Sequence, residues 1–250
     1  MSLTYWNGQL WPQGAVRIAP DDAGFLFGDG LFETLRVDDG QALDIEAHLD
    51  RLFAGLDRIK MRIPEAREAL EKAVEVVARE APAPVARLRI TITRGNSEGL
   101  TRLITTSAYT PPSEEQYRGG VAVLLLRDLR IDARSPLAGL KSLSYQLNQL
   151  ALRRAEAAGC FEALLLNKQG LLVEGSRSNV AVALPEGVFT PPLADGCLPG
   201  TVRRRLLERR KMAERSLTPK DLTKADGVYL LNSLIGVLPV HRPIAVLPPL

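Results

Sequence analysis

Residues 137–159 read LAGLKSLSYQLNQLALRRAEAAG, and one lysine in them asks for an explanation. Lys141 follows a Ser-Pro and a glycine turn and stands at the expected start of an amphipathic helix. Leu140 and Leu143 bracket it, and Gly139 lets the backbone approach closely. An apolar setting costs an ammonium free energy and favours the neutral, nucleophilic amine that condenses with an aldehyde. The bland alternative is a lysine at a helix start that snorkels its charge into water. The other lysines point only to that alternative. Lys60 and Lys72 lie on charged helix faces, Lys168 in the turn NKQG and Lys211 in a basic helix, and Lys220 and Lys224 flank a short acidic segment.

Upstream of this stretch, YWNGQLW (5–11) predicts a hairpin with Asn7-Gly8 at its turn, and GLFETLRVDDGQALDI (30–45) a second one turning at Asp38-Asp39-Gly40. Leu49, Leu52, Phe53, Leu56 and Ile59 recur at helical spacing before Pro64, and PEAREALEKAVEVVAREA (64–81) repeats the pattern up to Pro82. In VARLRITITRG (85–95), Leu88, Ile90 and Ile92 alternate with Arg89, Thr91 and Thr93, which predicts a strand with one dry face. YTPPSEEQYRGG (109–120) breaks the composition with paired prolines and glycines. Residues 111–118 are therefore expected to link an N-terminal α+β domain, 1–110, to a C-terminal domain, 119–250. The latter is expected to hold a strand over 121–130, a hairpin over 162–175, a strand over 178–184, a helix from about Thr201 and a late strand over 227–240.

Composition narrows the functions. The chain has 250 residues, 46% of them hydrophobic and 24% charged, enough to bury a full core. The formal charge is +3, but basic and acidic residues are interspersed, and VRRRLLERRK (202–211) carries leucines at helical spacing, so nucleic acid is not an expected partner. Cys160 and Cys197 with His48 and His241 are too few and scattered for a metal cluster, and no metal is expected. The opening residues lack a signal-peptide pattern, and no apolar run approaches the ~20 residues of a membrane span. These absences predict a cytoplasmic protein with no membrane partner.

Two downstream segments give the lysine a context. Glu174 closes an apolar strand and is followed by GSRSN; it reads as a surface charge, or as the carboxylate that keeps a pyridine nitrogen protonated. LPGTVRR (198–204) brings Gly200 and Thr201 to a helix amino terminus, which is either an ordinary start or a place for a phosphate.

With these residues in place, the chain resembles the fold-type IV pyridoxal-phosphate enzymes, the class IV aminotransferases. The resemblance rests on DAGFLFGDGLFETLRV (22–37), HLDRL (48–52), LKSLSY (140–145) and EGSRSN (174–179), which occur in the family's order along essentially the whole chain. It implies an α+β fold like that of D-amino-acid aminotransferase, with a small α/β N-terminal domain and a larger pseudo-barrel C-terminal domain carrying the lysine. It further implies pyridoxal 5'-phosphate as cofactor and a homodimer with active sites near the partner chain. By the same resemblance Lys141 attaches the cofactor covalently and moves protons, Arg51 clamps the phosphate, and Glu174 pairs with the pyridine nitrogen. Ser178, Asn179, Gly200, Thr201 and Val202 lie around the phosphate. Tyr145 is a partner for the ring hydroxyl or a core residue.

Within the family, TRGNSEGLTR (93–102) has Gly99 and Thr101 where the D-amino-acid branch carries an arginine and a histidine that grip the substrate carboxylate. LNSLIGVLPV (231–240) instead is similar to the "NSLxGVxPV" frame of 4-amino-4-deoxychorismate lyase, with Asn232, Ser233 and Leu234 in that frame as expected substrate-binding residues. The implied reaction releases pyruvate and 4-aminobenzoate. Arg94 and Arg102 are candidate partners for the substrate carboxylates, and amino-acid transfer, on a branched-chain or other substrate, is the alternative activity.

Overall fold

Turn chemistry sets the first register. In a computed structural model that describes residues 2–241 and 244–246, β1 (Leu3–Trp6) and β2 (Gln9–Pro12) meet across Asn7 and Gly8, whose φ values of 49° and 95° suit a two-residue hairpin. Met1 and residues 242–243 and 247–250, which the expected domain boundaries and the chain's end include, lie outside the described residues. A short helix, α1 (Ala23–Phe27), precedes β3 (Gly30–Asp38), which turns at Asp39 and Gly40, φ 47° and 78°, into β4 (Gln41–Ala42). The two predicted helices are α2 (Ile45–Arg58) and α3 (Arg67–Arg79), and β5 (Val85–Asn96) pairs with β6 (Gly99–Ala108). The six strands form one antiparallel sheet in the order β2-β1-β6-β5-β3-β4. Leu35, Leu88, Ile90 and Ile92 pack with Leu49, Leu52, Leu70 and Val74 in its core, each such side chain worth about 1.5–3 kcal/mol on burial.

The later elements are α4 (Glu114–Gly119), β7 (Val123–Ile131), α5 (Gln146–Ala157), β8 (Glu162–Asn167), β9 (Leu172–Gly175), β10 (Asn179–Leu184), β11 (Gly187–Thr190), α6 (Thr201–Glu208), β12 (Ala213–Glu214), α7 (Pro219–Lys224), β13 (Gly227–Asn232), β14 (Gly236–Pro239) and β15 (Ala245–Val246). They build a five-stranded sheet, β12-β11-β10-β13-β14, and a four-stranded one, β15-β7-β8-β9. Single bridges join Val121, just before β7, to Val240, just after β14, and Leu172 of β9 to Leu217. β7 and β8 run parallel, so the chain must cross over between them, and α5 lies in that crossover. Leu125, Leu164 and Leu166 share a core with Val180, Val182, Leu230 and Leu238.

The chain divides into two compact units, residues 1–111 with 140–145, and residues 112–139 with 146–250. The structure differs from the sequence-based expectation in three places. Lys141, expected in the second domain at a helix start, lies in an extended segment that packs in the first unit, five residues before α5 begins at Gln146. The expected linker contains a capped helix, because Ser113 accepts from the Gln116 N–H at 3.2 Å while the Gln116 side chain accepts from the Ser113 N–H at 2.9 Å. The late strand is likewise two strands, since the Asn232 carboxamide oxygen accepts from the N–H groups of Leu234 and Ile235 at 2.9 and 3.0 Å and closes a turn. Among the described residues no helix is long and apolar enough to cross a membrane.

Candidate active site

In the first unit the lysine is held by β3. Phe32 N–H donates to the Lys141 carbonyl and Leu143 N–H to the Gly30 carbonyl, both at 2.9 Å, and Leu31 bridges to Ser142. Gly30 is required at this approach, because a Cβ there would lie 2.3 Å from the Ile92 carbonyl oxygen and 2.7 Å from the Leu143 side chain. The Phe32 ring is the platform on which the functional groups gather. Lys141 Nζ sits 4.6 Å from its centroid, the Arg89 guanidinium carbon 3.9 Å, and the Tyr145 ring packs edge-on at 5.4 Å. Burial, and secondarily the charge of Arg87, pull the Arg89 guanidinium below its ordinary value.

The next residue of β3 holds the phosphate candidate. The Glu33 carboxylate accepts from Arg51 Nε at 2.8 Å, Arg51 Nη2 at 2.6 Å and His48 Nδ1 at 2.7 Å. His48 and Arg51 stand three residues apart on α2 and so share a face. Burial alone would raise the Glu33 pKa, but the charge and hydrogen bonds of Arg51, with help from His48, bring it down to about 2. Burial first, with Arg51 and Lys141 adding to it, holds His48 below its ordinary value against the pull of Glu33. A neutral ring facing an ionised carboxylate carries its hydrogen on Nδ1, which leaves Nε2 as a buried acceptor with no hydrogen-bond partner among the described residues.

In the second unit, Glu174 Oε2 accepts the Leu198 N–H at 2.8 Å. The Leu198 carbonyl accepts from Asn179 Nδ2 at 2.8 Å and from the Gly200 N–H at 2.9 Å. Gly200 then starts α6 with no side chain among the described residues capping it, leaving the first-turn N–H groups, from Thr201 on, without that partner. Val202 is buried against Ala181, Met212 and Leu231. Ser178 donates its hydroxyl to Glu162 Oε1 at 2.9 Å, and the Arg177 N–H reaches the same oxygen at 2.5 Å. Burial raises the Glu162 carboxyl above its ordinary value against these bonds. Burial, then the negative charge of Glu174, push the Cys197 thiol up to about 12.

The expected residues therefore fall into two sets. The first unit brings together Lys141, Tyr145 and, by way of Glu33, the mount of Arg51; the second brings together Glu174, Asn179, Gly200 and Thr201. Ser178 and Asn179 spend hydrogen bonds on Glu162 and Leu198. Arg94 is paired with Asp29 at 2.6 Å and donates to the Ile59 carbonyl, while Arg102 is paired with Glu65 at 2.6 Å. Asn232 closes the β13–β14 turn that contains Ser233 and Leu234, and its Nδ2 donates to the Arg177 carbonyl at 3.3 Å. Sequence reasoning passed over Phe32, Glu33, His48, Arg89 and Glu162. The available signal was a glutamate within an otherwise apolar strand start, GLFE, since every residue from Gly30 to Glu33 is buried.

Both sets fit pyridoxal phosphate. The first offers an amine beside an aromatic face and a guanidinium mounted by a carboxylate. The second offers a carboxylate fixed by an N–H and a bare helix start, shaped by a glycine whose added Cβ would fall 1.9 Å from Asn179 Oδ1.

Comparison with known proteins identifies a family and several relatives. The family profile described as "Amino-transferase class IV" matches residues 30–242. A bifunctional aminodeoxychorismate lyase / D-amino acid transaminase of Mycobacterium tuberculosis is 31% identical over 257 residues, covering 94% of this chain and 89% of its own. The solved structure of a hypothetical aminotransferase from Mycobacterium tuberculosis in its PLP-bound form superposes with a TM-score of 0.85 at 30% identity, over 98% of this chain and 90% of the other. That of the 4-amino-4-deoxychorismate lyase from Pseudomonas aeruginosa gives a TM-score of 0.81 at 32% identity, over 98% and 91%.

Proposed function

The chain belongs to the class IV aminotransferase family, and from that premise we propose that it is a pyridoxal-phosphate enzyme converting 4-amino-4-deoxychorismate to 4-aminobenzoate and pyruvate. The observation that carries the lyase reading over amino transfer is the turn Asn232–Gly236, closed on the Asn232 carboxamide. Its sequence matches the lyase frame, and the chain is 32% identical to a solved lyase.

When bound, pyridoxal phosphate supplies an electron sink that makes the proton on the nitrogen-bearing carbon of the substrate removable. Lys141 would supply the amine that holds the cofactor, and its Nζ would be the group that takes up that substrate proton. Phe32 gives the lysine an aromatic wall, with Nζ 4.6 Å from the ring centroid. Glu174 offers the ring nitrogen a carboxyl group kept in orientation by the Leu198 N–H. In the first unit Arg51, mounted on Glu33, is the cation suited to phosphate oxygens, and in the second the N–H groups at the start of α6 are suited to the same chemistry. With Arg94 and Arg102 committed to Asp29 and Glu65, Arg89 on the Phe32 platform is the better cation for a substrate carboxylate. The assembly expected is a homodimer, for which the exposed Phe25, Leu26 and Phe27 of α1 offer apolar surface.

Purified protein loaded with pyridoxal phosphate is to be incubated with 4-amino-4-deoxychorismate while 4-aminobenzoate and pyruvate are followed, then with pairs of amino and keto acids. Formation of both products supports the lyase. Amine transfer without 4-aminobenzoate replaces it with the aminotransferase reading.

A further inference from the structure

The bonds made by Asn179 suggest a different role from direct phosphate contact. We propose that Asn179 is a positioning residue: it locks the turn Leu198–Gly200, and through that turn it aims Glu174 and keeps the start of α6 open. The proposal rests on the cofactor reading above.

Leu198 is the junction. Its N–H is given to Glu174 and its carbonyl to Asn179 Nδ2, each at 2.8 Å, so one residue ties the ring-facing carboxylate to the asparagine. Two residues on, Gly200 is the N-cap of α6. Asn179 itself cannot drift, being 4% exposed and the first residue of β10, in register with Leu231 of β13. It holds the turn at two points. Nδ2 bonds the Leu198 carbonyl, and Oδ1 lies so close to Gly200 that an added Cβ would come within 1.9 Å. Pro199 between them fixes its own φ, so the turn cannot relax around one contact while keeping the other. A shift of this turn therefore moves the donor that orients Glu174 and the amino terminus of α6 together. Ser178 beside it is tied elsewhere, to Glu162, and has no bond to this turn among those described.

The test uses Asn179→Asp, which keeps the shape but cannot donate, and Gly200→Ala, which pushes on the same contact from the other side. Three quantities are read: the melting temperature of the protein without cofactor, the dissociation constant of pyridoxal phosphate by absorbance titration, and the pH midpoint of the bound cofactor's visible band. Both variants are expected to bind about tenfold more weakly or worse, and Asn179→Asp to shift the midpoint. Gly200→Ala combined with Asn179→Ala should lose less than the sum of the two, because alanine at 179 makes room for the new methyl group. A folded Asn179→Asp protein that binds and titrates like the parent overturns the proposal. Should a variant fail to fold, hydrogen exchange in the parent protein decides: slowly exchanging Asn179 Nδ2 protons support the brace, and freely exchanging ones overturn it. Failure of the parent to take up pyridoxal phosphate strikes the cofactor reading instead, and the Asn179 carboxamide protons then judge the brace alone.

Discussion

The first unit fixes its functional groups with full charges; the second fixes them with neutral dipoles. Around β3, an ionised Glu33 holds both Arg51 and His48, and the Arg89 guanidinium and the Lys141 amine share the Phe32 ring. Around α6, a backbone N–H, a carboxamide and an uncapped helix start do the equivalent work. Charged networks in low dielectric are costly to break on one side and respond to acid. Dipole networks respond instead to small displacements, because hydrogen bonds weaken steeply with misalignment. The first unit should thus be vulnerable to loss of a charge and the second to loss of shape.

The hardest test of this contrast is Lys141→Ala. Removing the amine should abolish the visible band of bound cofactor and lower turnover by about 10⁴-fold or more, since both attachment and proton transfer are lost. A retained band would move the covalent attachment to another side chain. Next comes Glu33→Ala, which leaves Arg51 and His48 facing a buried gap and should cost about 3–5 kcal/mol in urea unfolding. The same residue predicts the acid response. Its folded pKa of about 2 lies below the ordinary 4.5, so its contribution is complete above ~4.5 and drains away as pH falls toward about 2, on the order of 3 kcal/mol in all. Glu33→Gln should therefore show a flatter stability profile than the parent across that window; parallel profiles would mean that Glu33 is not the charge at stake. The smallest effect is expected for Arg89→Ala, which should raise KM roughly 10–100-fold with less change in kcat, as loss of one charged carboxylate partner would. An unchanged KM would return the carboxylate to another cation.

What the sequence disclosed divides along a similar line. The Asn7-Gly8 and Asp39-Gly40 turns, α2, α3 and the dry face of β5 were legible because each depends on neighbours within a few residues. The position of Lys141 was not, for it depends on backbone bonds to Gly30 and Phe32. Periodicity downstream of the lysine suggested a helix start, while the decisive partner was a strand far upstream. The roles of Ser178 and Asn179 were hidden for the same reason, since Glu162 and Leu198 lie 16 and 19 positions away. The break in residues 227–240 was local, but it turned on one carboxamide inside a run of apolar residues.

The six residues 140–145 complete a unit whose other members all precede Pro112. A nascent chain stopped anywhere before Leu140 would carry the aromatic platform and the Glu33 network yet lack the proposed nucleophile. Synthesis must deliver β7 and the turns after it before the amine can dock on β3. On the role proposed for Lys141, chemical competence is consequently a late event in maturation, and a truncated product should be inert toward an aldehyde at that position.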